Sequence, residues 1–267
     1  MNPVVVKRGT SPIILGQPHG GTYVPDDIFN KLNDCGKGLD DTDWHINKLY
    51  DGLNEEMTVV QATFHRYVID ANRDPAGQSL YPDRNTTGLC PLTNFDGAPI
   101  WLDGKQPTPA DTEHRCKLFH TPYHDALGTE IERVKSKYGF AILYDCHSIR
   151  SEIPYLFGGL LPIFNTGTNN GISCSAAIEK AVTSHCETSK VFDHVLNGRF
   201  KGGWTTRHYG QPANNVHAIQ METSQRAYME EQAPWIYRED KASQIRPILI
   251  EIFSSLHDVA ASINPHN

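Results

Sequence analysis

Five short runs along the chain are apolar and rich in β-branched residues: Pro12 to Gly16, Thr58 to Ala62, Tyr67 to Asp70, Phe140 to Tyr144 and Val216 to Met221. Runs of this kind predict buried strands. Between them the spacing changes. Within Asp111 to Tyr138, the residues Leu118, Tyr123, Leu127, Ile131 and Val134 recur at intervals of three to five, which predicts a helix. Helical length also marks Asp41 to Glu55, with Asp and Thr as candidate caps, Cys174 to Ser184, and Asp240 to Ala261 with its apolar stripe of Ile245, Ile248, Leu249, Ile252 and Leu256. Strands alternating with long helices predict an α/β fold, a mostly parallel mixed sheet with helices on both faces. No Ser/Gly-rich or Pro-rich linker divides the 267 residues, so residues 1–267 read as one domain. The stretch 74–109 is rich in Asp, Asn, Thr, Gly and Pro. It is too long for a plain connection and predicts a functional loop near a site.

A hydrophobic content of 39% with 21% charged residues is that of an ordinary globular protein. The net charge of −7 comes without any basic run, which excludes the electrostatic footprint of a nucleic-acid or anionic-membrane binder and leaves a small-molecule partner. The longest apolar stretches, such as Ile248 to Phe253, fall far short of the roughly 20 residues that cross a bilayer. The N-terminus has no basic segment followed by an apolar leader core. Six cysteines are scattered without a CxxC pair, which excludes a thiolate metal site and fits reduced thiols in a cytoplasmic protein.

Three predicted strands run into residues that bind metals or move protons. Ile13-Ile14-Leu15 leads to His19, Ile142-Leu143-Tyr144 leads to Asp145 and His147, and Ala218-Ile219-Gln220-Met221 leads to Glu222. In open α/β sheets ligands bind beyond the carboxyl ends of the strands, where residues distant in sequence converge. His19 lies in Pro18-His19-Gly20-Gly21, whose glycines allow a sharp turn close to a ligand. Asp145 is placed to orient the imidazole of His147. A catalytic zinc keeps three protein ligands and an open position, so a third ligand is needed, and Asp40, Asp41 and Asp43 are the nearest carboxylates. A helix N-terminus also favours acidic residues and accounts for part of that cluster. Glu222, at the end of an apolar strand, is desolvated and so suited to act as a general base. Arg73, Arg150, Arg199 and Arg207 supply guanidinium forks that match carboxylates, which points to a dicarboxylate ligand.

Several segments carry a resemblance: Pro18 to Gly21, Asp41 to His45, Arg66 to Arg73, Cys90-Pro91, Tyr123 to Leu127, His147 to Glu152, Asn197 to Gly203, Thr206 to Gly210 and Gln220 to Glu222. In this order, over nearly the whole length, the chain resembles the N-formylglutamate amidohydrolases (N-formylglutamate deformylases) of histidine degradation. That family is similar to the zinc carboxypeptidases and aspartoacylases, which implies a zinc-carboxypeptidase-like fold. It also implies the order metal His, metal carboxylate, Asn-Arg pair, metal His, catalytic Glu. His19, Asp43, Asn72-Arg73, His147 and Glu222 stand at those places. One departure is that carboxypeptidases have a Glu three residues after the first His, where this chain has Thr22. The resemblance therefore places the carboxylate ligand at Asp43.

The implied reaction is zinc-dependent hydrolysis of the formamide bond, giving formate and glutamate. One Zn2+ per chain is expected on His19, Asp43 and His147, with other divalent ions able to use the same donors. Glu222 would serve as proton carrier and Arg73 would steady the oxyanion. Asn72, Arg73, Arg150, Arg199 and Arg207 would hold the substrate. Another N-acyl acidic amino acid is an alternative substrate. Two rivals come from other classes: Cys146 as a nucleophile, disfavoured because adjacent strand residues face opposite ways, and a non-catalytic binder of small dicarboxylates.

Overall fold

The computed structural model describes residues 1–78 and 85–263. The first half of the chain contains β1 (Val4–Lys7), β2 (Ile13–Gln17), three short helices α1 (Asp26–Phe29), α2 (Asp34–Lys37) and α3 (Ile46–Tyr50), and β3 (Thr58–Ala62). A long loop leads to α4 (Pro109–Arg115) and α5 (Thr121–Tyr138), which are joined through a π-helical turn at Cys116–His120. The second half contains β4 (Ala141–Ile149), β5 (Phe164–Gly167), α6 (Ala176–Thr188), β6 (His194–Leu196), α7 (Trp204–Tyr209), β7 (Val216–Ser224) and α8 (Glu239–Ile263).

The strands form one seven-stranded sheet in the order β1-β3-β2-β4-β7-β5-β6. Its central strands β3, β2, β4 and β7 are parallel, while β1 pairs antiparallel with β3 and β5 antiparallel with β7. Alternation along the strands divides the core. Ile13, Leu15, Ile142, Tyr144, Ile219 and Met221 face α3, α6 and α8. Ile14, Val60, Leu143 and Ala218 face α5 through Tyr123, Leu127, Ile131 and Val134. The expected mixed, mostly parallel sheet with helices on both faces is therefore the architecture found. Among the described residues no helix is long and apolar enough to cross a membrane.

Several boundaries differ from the pattern reading. Residues 67–70 are not a strand but a buried turn. Their apolar side chains fill the α5-side core, which is all that the pattern detected. The helix expected over 41–55 is reduced to Ile46–Tyr50, because Asp41 is drawn away to the Tyr67 hydroxyl and the Phe95 N–H, and His45 adopts a left-handed φ of 59°. β4 and β7 run five and three residues past Tyr144 and Met221, paired in register to Ile149 and Ser224, so His147 and Glu222 lie within strands rather than after them. β1, β5, β6 and α7 were not anticipated. They are short and carry little periodic apolar signal.

The Gly20-Gly21 pair serves packing rather than a positive-φ turn. A Cβ on Gly21 would lie 2.5 Å from the Thr63 carbonyl oxygen and 2.6 Å from that of Phe64, where the chain leaving β2 runs against the chain leaving β3. Gly21→Ala should therefore lower stability by about 1–3 kcal/mol through overpacking. In α5, a Cβ on Gly128 meets no atom, and Gly128→Ala should raise stability by roughly 0.5–1 kcal/mol. Urea unfolding of the two variants measures both signs, and equal effects would rule out the close approach at Gly21.

Candidate active site

The site lies at the carboxyl-terminal ends of β2, β4 and β7. The connection from β2 leads to β3 on one side, and the next central strand, β4, is added on the other. Strand order thus reverses between β2 and β4, and a crevice opens at such a point. His19 enters it two residues after β2, His147 from β4 and Glu222 from β7. His147 and Glu222 are register partners on adjacent strands and so project from the same face. Asp43 arrives from the loop before α3, tied to the His19 segment by its backbone N–H donating to the His19 carbonyl at 3.1 Å.

Three donor atoms meet there. His19 Nδ1 is 3.2 Å from His147 Nδ1, and Asp43 Oδ2 lies 3.3 Å from His147 Nδ1 and 3.8 Å from His19 Nδ1. A tetrahedral zinc with ligands at roughly 2.0–2.1 Å separates its donors by about 3.3–3.4 Å, so this buried trio can hold a metal ion. The outer nitrogens are engaged as well, His19 Nε2 by Asp70 Oδ1 at 2.7 Å and His147 Nε2 by Asn72 Nδ2 at 3.1 Å with the Asp145 carboxylate 3.2 Å away, which leaves both Nδ1 atoms facing the centre. Asp40 and Asp41 take other roles. Asp41 accepts from the Tyr67 hydroxyl and the Phe95 N–H, and burial raises its carboxyl to about 6. Asp40 is partly exposed.

The charges are arranged around that trio. Burial and the Arg66 guanidinium hold His19 down to about 4, so its nitrogen is available as a donor. Burial opposes protonation of His147 too, yet Asp145, Asp43 and Glu222 outweigh it and keep this group well above the ordinary range. Burial would also raise Asp43, but Arg66 and the two histidines hold it below the usual carboxylate range. Glu222 is the exception. Its side chain receives a hydrogen bond from Gln220 Nε2 at 3.2 Å, and burial lifts its carboxyl clearly above the usual range against the pull of His147.

A cavity of about 230 Å³ opens over these groups, lined by His19, His147 and Glu222 together with Arg66, Asn72, Arg73 and Arg199. Leu89, Phe95 and Phe200 form apolar wall, and the loop anticipated over 74–109 supplies part of the rim through Asp74, Thr87 and Leu89. Residues 79–84 of that loop lie outside the described residues. Arg73 is fixed by Thr87, donating Nε to its carbonyl at 2.9 Å and Nη2 to its hydroxyl at 3.0 Å. Arg199 reaches the wall from the stretch before α7, donating Nε to the Leu156 carbonyl. Arg150 and Arg207 are not among the lining residues. Arg150 pairs with Asp96 at 2.8 Å, and Arg207 donates to the Gly202 carbonyl.

Two site residues escaped the pattern reading. Arg66 is buried, donates Nη2 to Asp43 Oδ1 at 2.8 Å and lies over the Phe95 ring. Asp70 holds His19. The available signal was a pair of charges, Arg66 and Asp70, flanking the apolar Tyr67-Val68-Ile69, since charged groups are buried only when paired. The Cys146 rival does not survive the geometry. Its thiol is fully buried on the opposite face, in the core against α8, and burial holds it well above the ordinary range.

Fold and site together define an α/β protein with a buried His-Asp-His centre that can hold a metal ion. A family model described as N-formylglutamate amidohydrolase matches residues 11–229, and the chain belongs to that family. A curated protein of Pseudomonas aeruginosa named N-formylglutamate deformylase is 44% identical over 251 residues, covering 94% of both chains. One of the same name from Pseudomonas putida is 42% identical over 250 residues, covering 93% of both. The crystal structure of an N-formylglutamate amidohydrolase from Ralstonia eutropha superposes with a TM-score of 0.81 at 24% identity, over 98% of this chain and 99% of that one. A gene product of Agrobacterium tumefaciens shares the fold at a TM-score of 0.73 and 16% identity, over 97% and 96% of the two chains.

The purified protein should bind one divalent ion per chain, lost in His19→Ala, His147→Ala and Asp43→Ala and retained in Asp41→Ala. Asp70→Asn should weaken binding roughly 10–100-fold, the usual effect of removing the partner of a ligating histidine. Metal analysis and chelator competition test this, and full occupancy in Asp43→Ala would remove that residue from the ligand set.

Proposed function

We propose that the chain hydrolyses N-formyl-L-glutamate to formate and L-glutamate, as a step of histidine degradation, with one zinc ion on His19 Nδ1, Asp43 Oδ2 and His147 Nδ1. The observation that carries this reading is the buried Glu222 carboxyl, which lines the same pocket as His19 and His147 of the donor trio and is held by little besides Gln220. The N-formylglutamate deformylase name of relatives at 44% and 42% identity supports the choice of substrate. Two nitrogens and one carboxylate oxygen are the donor set of a catalytic zinc. When bound, zinc supplies a Lewis acid that polarises the formyl carbonyl and activates water.

The chain's own residues do the rest. Glu222, above the usual carboxylate range, takes the proton of the attacking water and delivers it to the departing nitrogen. Arg66, rather than Arg73, is the arginine for the charge that develops on the formyl oxygen. It bonds directly to Asp43, whereas Arg73 approaches the trio only through Asp70, at 3.7 Å. Asn72 Nδ2 lies 3.1 Å from His147 Nε2, next to the ligands. The α-carboxylate is one carbon from the scissile nitrogen, so Asn72 and Arg73 are assigned to it. Arg199, on the wall beside Phe200, is assigned to the more distant γ-carboxylate. All six cysteines are free thiols, which supports a cytoplasmic location.

Glu222→Gln keeps size and shape while removing the proton acceptor. Zinc content and KM should stay close to those of the parent, and kcat should fall by roughly 10²- to 10⁴-fold. Loss of zinc in that variant would make Glu222 a ligand and overturn its assignment. In a substrate panel, formyl-glutamine and formyl-leucine should lose on the order of a hundredfold or more in kcat/KM, since each leaves a guanidinium without its carboxylate. Faster turnover of acetyl-aspartate than of formyl-glutamate would move the activity to another N-acyl acidic amino acid.

A further inference from the structure

The Asn72-Arg73 pair sits on a stretch of chain that no strand supports. Residues 67–78 run as turns and irregular backbone after β3, and the carbonyls of Ala71 and Arg73 have no partner in the sheet. Both are taken by histidines from the helical face above. His124 Nε2 lies 2.7 Å from the Ala71 carbonyl oxygen, and His120 Nε2 lies 3.0 Å from that of Arg73. A carbonyl can only accept, so each ring carries its proton on Nε2 and donates. Burial keeps both imidazoles neutral, lowering His120 and taking His124 down to about 3. They are thus fixed neutral donors rather than titrating groups at neutral pH.

The two rings are themselves held. His120 closes the π-helical turn and His124 follows one turn later in α5, which brings the ring centroids within 4.4 Å. The Trp204 ring of α7 lies against both, at 5.6 Å and 4.8 Å, and the Tyr209 hydroxyl reaches His124 Nδ1 at 3.1 Å. The same helix grips the side chain between the two carbonyls, because the Thr205 N–H donates to Asn72 Oδ1 at 2.9 Å. The backbone on either side of Asn72 is therefore clamped by His120 and His124, and its side-chain amide by α7.

We propose that His120 and His124 are positioning residues for substrate capture, fixing the backbone on either side of Asn72 so that Asn72 and Arg73 present their donors to the substrate carboxylate. This rests on the assignment of that pair to the α-carboxylate. Neither histidine touches the donor trio, but Asn72 meets Asp70 and the outer nitrogen of His147, so metal content is the measurement that separates carboxylate capture from support of the metal.

Steady-state kinetics of the zinc-loaded enzyme with N-formylglutamate test it. His124→Leu and His120→Leu should each raise KM by about tenfold with kcat within about threefold of the parent and with metal content unchanged. His124→Gln, whose amide nitrogen replaces Nε2 as donor, should restore most of the lost KM. In a background of Asn72→Ala and Arg73→Ala, the leucine substitutions should add nothing to KM, as expected for residues acting through that pair. With 4-formamidobutanoate, which lacks the α-carboxylate, parent and leucine variants should have the same KM. Should a leucine variant not fold, His124→Asn, whose shorter amide stops short of the Ala71 carbonyl, is the replacement. An unchanged KM in the histidine variants while Arg73→Ala raises it, a fall in kcat alone, or failure of glutamine to rescue overturns the proposal. If Arg73→Ala itself leaves KM unchanged, it is the carboxylate assignment that fails.

Discussion

Four carboxylates, Asp43, Asp70, Asp145 and Glu222, are buried together at the carboxyl-terminal ends of three parallel strands, and the cost of keeping them out of water constrains everything around them. Removing a carboxylate from water costs several kcal/mol unless charge and hydrogen bonds replace the lost hydration. Three of the four are compensated within the chain. Asp43 has Arg66 and the Ser148 N–H, Asp70 has His19, the Asn72 N–H and two arginines at longer range, and Asp145 has the Thr206 hydroxyl and His147. Glu222 has mainly Gln220. That imbalance raises its affinity for a proton, while Asp43 faces the two histidines as a third donor and Asp70 and Asp145 face their outer nitrogens.

The sheet converts this electrostatic requirement into geometry. Parallel pairing of β4 with β7 sets His147 and Glu222 side by side, and the reversal of strand order between β2 and β4 leaves room for His19 and for the loop that carries Asp43. The two faces divide the labour. The face against α6 and α8 is apolar through Cys146 and Met221 and packs into the core. The other face becomes polar at the strand ends and is closed by α7 and by the turns after β3. Elements that look like connections on a topology diagram thus hold the reactive groups. Residues 65–73 are the clearest case, supplying Arg66, Asp70, Asn72 and Arg73 from a segment without regular structure.

The sequence by itself determined the sheet with helices on both faces, because strands such as 58–62 and the long helices ending at Tyr138 and near Ala261 have unmistakable periods. It also determined that His19, His147 and Glu222 belong together, since each follows an apolar run whose direction in a parallel sheet fixes the end at which it emerges. The choice of Asp43 over its neighbours came from family resemblance. The distances make physical sense of it, for Asp41 is spent on Tyr67 and Phe95, two partners that no local pattern reveals.

Tertiary structure alone decided what depends on contacts between distant segments. Arg150 and Arg207 were indistinguishable in sequence from Arg73 and Arg199, and only packing turned the first two away and left the others on the pocket wall. Residues 67–70 had the composition of a strand, but no neighbouring strand offered a ladder, so their side chains were buried in a turn instead. The charges of Arg66 and Asp70 around an apolar run hinted at burial, but that Asp43 stands opposite Arg66 was decided by the fold. Periodicity encodes which face of an element is buried. The partner of a buried charge is set by where the chain returns, and for that a single sequence carries no local signal.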